Sequence, residues 1–212
     1  MLTRFLLWAP AISFLAGCSS AYKDLAASAK PAVASIYSNP LPDTSIWYRA
    51  SVDIVGNHLS GLLLIKSRND SARIVFTNES GFKFFDFEFG PTNYFKKHSV
   101  LPQMDKKAVI RTLQNDFLLV IGYPFRSPNL QYFQDGRFQY IASQYDNKLA
   151  YLVYPLDSKT IDHLELASKR KKLVTLTFEG KSLQAAESIK IEHHTFNMQI
   201  QLSKLKTGNV SQ

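Results

Sequence analysis

Phe82-Lys83-Phe84-Phe85-Asp86-Phe87-Glu88-Phe89 places five phenylalanines in eight residues. Side chains alternate between the two faces of a strand. Phe85, Phe87 and Phe89 therefore share one face, while Phe82 and Phe84 put rings on the other, ahead of Asp86 and Glu88. Rings on both faces imply burial on both faces at the start of the segment. Each fully buried ring contributes roughly 1.5–3 kcal/mol, so this segment reads as the dominant strand of an apolar core.

The flanking segments keep the same period of two. Ala72, Ile74 and Phe76 alternate with Arg73, Val75 and Thr77, and Asn78-Glu79-Ser80-Gly81 makes the turn into the phenylalanine strand. Further upstream, Ile46, Tyr48, Ala50, Val52 and Ile54 alternate with Arg49, Ser51 and Asp53 in a run from Ser45 to Val55. This run reads as a half-buried strand. Gly56-Asn57 turns into a second strand, Leu59 to Lys66, and Ser67 to Asp70 turns again. Downstream, Gly90-Pro91 precedes a short strand, Asn93 to His98, and then the period changes. Ala108, Val109, Leu113, Phe117, Val120 and Ile121 recur at three and four residues, which is one face of a helix. Asp105 reads as its N-cap, with Gly122 and Pro124 as its stop. Period two then returns. Leu130 to Gln134 and Arg137 to Ser143 flank the hairpin turn Asp135-Gly136. Leu149 to Tyr154, Leu173 to Phe178, Ser188 to His194 and Phe196 to Leu202 follow. About ten or eleven strands with short turns and one long helix predict an α+β fold, an antiparallel sheet curled onto helices.

The N-terminal end carries a different signal. Arg4 and the apolar run Phe5 to Leu15, interrupted only by Pro10 and Ser13, form the pattern of a secretory signal peptide. The run is well short of the roughly 20 apolar residues that cross a hydrocarbon core. Leu15-Ala16-Gly17-Cys18 resembles the bacterial lipobox, which implies a signal peptide over 1–17 and Cys18 as the lipidated first residue. The other reading is an ordinary signal peptide whose end carries a cysteine. Cys18 is the sole cysteine of the 212 residues, so the chain forms no internal disulfide. One acyl chain holds a protein only marginally, at about 0.8 kcal/mol per buried methylene, whereas several make a permanent anchor. In the lipoprotein family rule, Ser19 in place of aspartate implies the outer membrane. Residues 18–44, rich in small residues and ending near Pro31, Pro40 and Pro42, read as a lipidated tether. Residues 45–205 form the domain and 206–212 a tail.

Hydrophobic content of 45% and 13% aromatic residues suit one globular domain. A formal charge of +8 suits an anionic neighbour, and nucleic acid is the wrong one for an exported protein. Lys169-Arg170-Lys171-Lys172 is the densest basic run; it reads as a solvated turn, or as a contact with acidic headgroups. The residues offer no catalytic or metal set. His58, His98, His163 and the pair His193-His194 lack metal-ligand spacing, and adjacent histidines on a strand point to opposite faces. Asp86 and Glu88 share a strand face and read as a solvated edge rather than as an acid/base pair. A binding protein without cofactor is expected, not an enzyme.

Arg73-Ile74-Val75-Phe76-Thr77-Asn78-Glu79-Ser80-Gly81, the helix exit Val120-Ile121-Gly122-Tyr123-Pro124, and the closing hairpin from Ile189 to Leu202 resemble, in this order, the LolA/LolB lipoprotein-sorting family, LolB above all. The resemblance implies an incomplete antiparallel β-barrel closed by helices around an apolar cavity for lipoprotein acyl chains. Ile54, Leu63, Ile74, Phe76, Phe85 and Phe87 would line its concave face, with Leu113 and Phe117 on a lid helix. Periodicity does not separate such a wall from a filled core. The family carries a protruding leucine that places cargo in the membrane; the matching residue here is Ser80, between Glu79 and Gly81, and Phe82 is the nearest large apolar residue. The partners implied are the membrane through Cys18, acylated lipoprotein cargo and a soluble periplasmic LolA-like carrier, with the protein a periplasm-facing monomer. The alternative is a structural or accessory envelope lipoprotein of the same fold without cargo transfer.

Overall fold

The alternating segments pair side by side into one antiparallel sheet. The computed structural model describes residues 22–31, 42–54, 56–91 and 93–206. The expected signal peptide over 1–17, Cys18 and all but the first residue of the expected tail 206–212 lie outside the described residues. The strands are β1 (Ala26–Ala27), β2 (Thr44–Ile54), β3 (Asn57–Arg68), β4 (Ser71–Thr77), β5 (Lys83–Gly90) and β6 (Tyr94–Val100). After the helix α1 (Lys107–Val120) come β7 (Gln131–Gln134), β8 (Phe138–Tyr145), β9 (Lys148–Pro155) and β10 (His163–Ala167), then β11 (Lys172–Glu179), β12 (Ser188–His193) and β13 (Met198–Lys204). Their order in the sheet is β1-β7-β8-β9-β10-β11-β12-β13-β2-β3-β4-β5-β6. β1 and β6 are its two edges, so the sheet does not close on itself. On the edge strand β6, Lys96, Lys97 and His98 are exposed, and such charges discourage pairing with another chain.

Among the described residues, thirteen strands stand where ten or eleven were expected, and one α-helix with three short 3-10 turns stands where a set of closing helices was expected. The two unforeseen strands have physical reasons. β1 is two residues long and belongs to the expected tether; it pairs with β7 through Ala26↔Gln134 and Ala27↔Phe133. β10 has the sequence His-Leu-Glu-Leu-Ala, whose polar members read as loop. Its Glu165 is nonetheless buried, because Tyr22, His163 and Lys172 reach it. The helix start also differs. Asp105 does not cap α1; its carboxylate takes the Lys97 ammonium at 2.6 Å, and Lys106 occupies the cap position without a side-chain bond. The exit is as read, with Gly122 at φ 67 and Pro124 in the 3-10 turn Tyr123–Arg126.

The inner face of the sheet and α1 form the main core. Phe85 and Phe87 stack at 4.6 Å, and Phe117 of α1 sits 5.4 Å from Phe85. A second, smaller cluster lies on the outer face of β8–β10, where Tyr151 and Val153 are covered by Tyr22 and Leu25. The described part of the expected tether, 22–31, thus docks on the sheet. Asp86 is no solvated edge either: β5 lies one strand in from the edge, and the carboxylate is buried under Arg73 and Lys83.

Candidate functional site

Helix α1 is buried along only half its length. Leu113 and the residues from Asp116 to Val120 pack into the core, whereas Lys107 to Thr112 are exposed or half-buried. The N-terminal half therefore stands over the mouth of the sheet with a cleft on either side. One is apolar, about 280 Å³, lined by Ile54, Ala108, Val109, Thr112, Phe196 and Met198. The other is wider and mixed, about 740 Å³, with Phe95, Ile110 and Tyr145 as its apolar wall and Lys97, Lys107 and Arg111 at its rim. Its cations are partly spent, since Lys97 pairs with Asp105 and Arg111 with Asp146. The apolar cleft has no such charges and suits hydrocarbon.

One hydrogen-bonded pair ties α1 to the sheet near this mouth. Asp116, wholly buried, meets Nε2 of His193 on β12 through Oδ2 at 3.1 Å. Burial pushes its carboxyl pKa up, against the opposing pull of the His193 hydrogen bond. His194, on the opposite face, instead meets the Thr175 hydroxyl at 2.7 Å. Among the described residues, no group of three or more acidic, histidine or cysteine side chains could hold a metal ion.

No family model matches this sequence, and no curated protein does. Among the solved structures similar in fold are two of low identity. One is a DUF1329 family protein from Desulfovibrio piger, with a TM-score of 0.41 and 9% identity over 82% of this chain and 89% of that one. The other, from Vibrio parahaemolyticus, is described as an outer membrane lipoprotein-sorting protein domain, with a TM-score of 0.44 and 11% identity over 82% of this chain and 87% of that one.

The expected cavity residues divide. Leu63, Ile74, Phe76, Phe85, Phe87, Leu113 and Phe117 are all buried and belong to one packed core, and Phe117 rests directly on Phe85. Ile54 alone among them lines the apolar cleft. The structure brings Glu79, Ser80 and Phe82 together at one turn. Asn78 holds it, accepting from the Phe82 amide at its side chain (2.8 Å) and from the Gly81 amide at its carbonyl (3.1 Å). This fixed turn presents Phe82 to solvent at 74% exposure. The sequence reading missed Phe196 and Met198 as cleft residues and the Asp116–His193 pair. Phe196 reads as the start of a strand, but it lies in the turn before β13. No short-range pattern marks a pairing across 77 positions.

Proposed function

We propose that the chain is a lipid-anchored outer-membrane protein of the LolB type, which holds acyl chains of lipoproteins and passes the cargo to the membrane. The observation that carries this reading is the apolar cleft under the exposed half of α1, where hydrocarbon would leave water without desolvating a charge. Phe82 supplies the large exposed apolar side chain that Ser80 lacks, beside Lys83, at a turn held by its own hydrogen bonds. Cys18 would fix the receptor where cargo is delivered, and no catalytic step is needed.

The test uses the full chain with Cys18→Ala, an environment-sensitive fluorescent fatty acid, and Ala108→Trp. Ala108 is exposed at the cleft wall, so the new indole fills the cleft without entering the core. Acyl binding should fall at least tenfold while the thermal midpoint stays put. Unchanged binding would remove the cleft as the site. In transfer of an acylated lipoprotein from a soluble carrier to liposomes, Phe82→Ala should accept cargo but release it slowly. The direct packing of Phe117 on Phe85 favours a second reading, an accessory envelope lipoprotein with a filled interior. Refusal of both fatty acid and cargo by the well-folded chain would select it.

A further inference from the structure

The apolar cleft does not end in hydrocarbon. Thr112 and Phe196 line both it and an adjoining cleft of about 130 Å³, whose wall also carries Asp116, His193, Thr195 and Lys148. Three acids are buried among the described residues, and two of them are fully met. Asp86 takes Arg73 and Lys83 on its two oxygens, and Glu165 takes Tyr22 on one oxygen and His163 with Lys172 on the other. Asp116 is the exception: Oδ2 meets His193, but Oδ1 is buried with no hydrogen-bond partner. An unmet buried acceptor is costly, and buried polar groups are nearly always paired.

The chemistry of the missing partner follows from the pair. The proton shared by Asp116 and His193 lies between Oδ2 and Nε2 whichever of them holds it, so Oδ1 is an acceptor in both states. Sharing a hydrogen with His193 through Oδ2 meets part of the carboxyl's charge already, which weakens its draw on a cation. Lys148 at the rim disfavours one further, and offers a donor of its own. A group that fits carries an uncharged N–H next to a carbonyl.

We propose that Asp116 Oδ1 is a head-group subsite that accepts the N–H of an amide-linked acyl chain lying in the apolar cleft, so that amide-linked chains are preferred to ester-linked ones. This inference rests on the acyl-binding reading and adds a specificity to it. Access is through Phe196, 39% exposed and packed on His193 at 4.7 Å between ring centres, whose ring swings outward to admit the head group. Lys148 and Thr195 take the amide carbonyl.

Calorimetry of the full chain with Cys18→Ala against three probes of equal chain length tests it: N-methyldecanamide, N,N-dimethyldecanamide and methyl decanoate. The N-methyl amide should bind about tenfold more tightly than the dimethyl amide or the ester, which keep the carbonyl and lose the donor. In Asp116→Leu the three affinities should converge. Equal binding of the two amides to the wild-type protein overturns the subsite and leaves the acyl-binding reading intact. So does a preference that survives Asp116→Leu. Binding of none of the probes overturns both. The carbon-13 carboxyl resonance of Asp116 provides a readout without a variant: it should move with the N-methyl amide and not with the dimethyl amide, and stillness with both overturns the subsite.

Discussion

At the scale of single residues, close approach decides two positions. Gly61 of β3 lies so near β4 that a Cβ there would stand 1.9 Å from the Thr77 carbonyl oxygen and 3.0 Å from Asn78 Cα. Both obstacles are backbone, next to the register shift at Phe76/Thr77, so nothing flexible can yield. Gly61→Ala should destabilise by about 3 kcal/mol or more, read as a lowered urea midpoint. It should also disturb the turn that presents Phe82. Asp86 is the second position. The Arg73 guanidinium hydrogen bond, helped by Lys83 and opposed by burial, holds its carboxyl below the ordinary carboxylate range. A depressed folded pKa means stability that is present above the unfolded value near 3.9 and lost as pH falls through the lower folded value. Arg73 and Lys83 are about half exposed, so screening limits the contribution to about 1 kcal/mol. Asp86→Asn should cost that much at neutral pH, and the gap between variant and wild-type midpoints should close below about pH 4. The alternation Phe85, Phe87, Phe89 made the buried rings legible. The burial of Asp86 was not, because one neutralising partner, Arg73, comes from β4 and the other, Lys83, from the start of β5 itself.

At the scale of elements, legibility follows one-sided burial. β2 and β4 show a period of two, because one face packs into the main core and the other does not. α1 was legible from its apolar spacing, but its start was not, since Asp105 serves β6 rather than the helix. β10 and the docked segment 22–31 were hidden by the same network. Tyr22 stacks on Tyr151 at 4.7 Å and donates its hydroxyl to Glu165 at 2.6 Å, while His163 joins Glu165 at 2.5 Å and Asp162 at 2.6 Å. Each member alone looks like a surface residue. Burial acts to lower the His163 pKa, but the hydrogen bonds to Glu165 and Asp162 outweigh it and hold the imidazolium above its usual range. A raised folded pKa contributes stability that is complete below the unfolded value near 6.5 and lost as pH rises through the folded one. Wild-type stability should therefore decline on going from about pH 6 to pH 8.5, and His163→Gln should flatten that slope. Tyr22→Ala should loosen the segment from the sheet, seen as faster hydrogen exchange at Ser28, whose amide donates to the Tyr132 carbonyl.

At the scale of the whole molecule, the sheet joins the two ends of the domain. β13 pairs with β2 from Met198↔Ile54 to Lys204↔Tyr48, and the Leu205 amide then donates to the Trp47 carbonyl at 2.8 Å. Within residues 42–206 that pairing joins the first strand to the last, and the hairpins on either side of it are local. It carries the loop-closure cost of folding in this segment, which grows with the logarithm of loop length and chiefly slows the rate. The arrangement makes a circular permutant informative. A glycine/serine linker of about eight residues from Lys206 to Pro42 spans a short gap, and new ends between Lys159 and Thr160 fall in the exposed loop between β9 and β10. The linker turns β13–β2 into a local hairpin, while β9–β10 becomes the long-range pair with five matched residues. Measured against the linear domain 42–206, the permutant should keep its circular dichroism and lie within about 2 kcal/mol in stability, since every strand keeps its neighbours. Its refolding rate should then report which closure limits folding. Faster refolding would place the β13–β2 junction in the rate-limiting step, and slower refolding would place β9–β10 there. A permutant that does not fold would show that the loop 156–162 is needed to set the register of β10, and that the buried Glu165 depends on it.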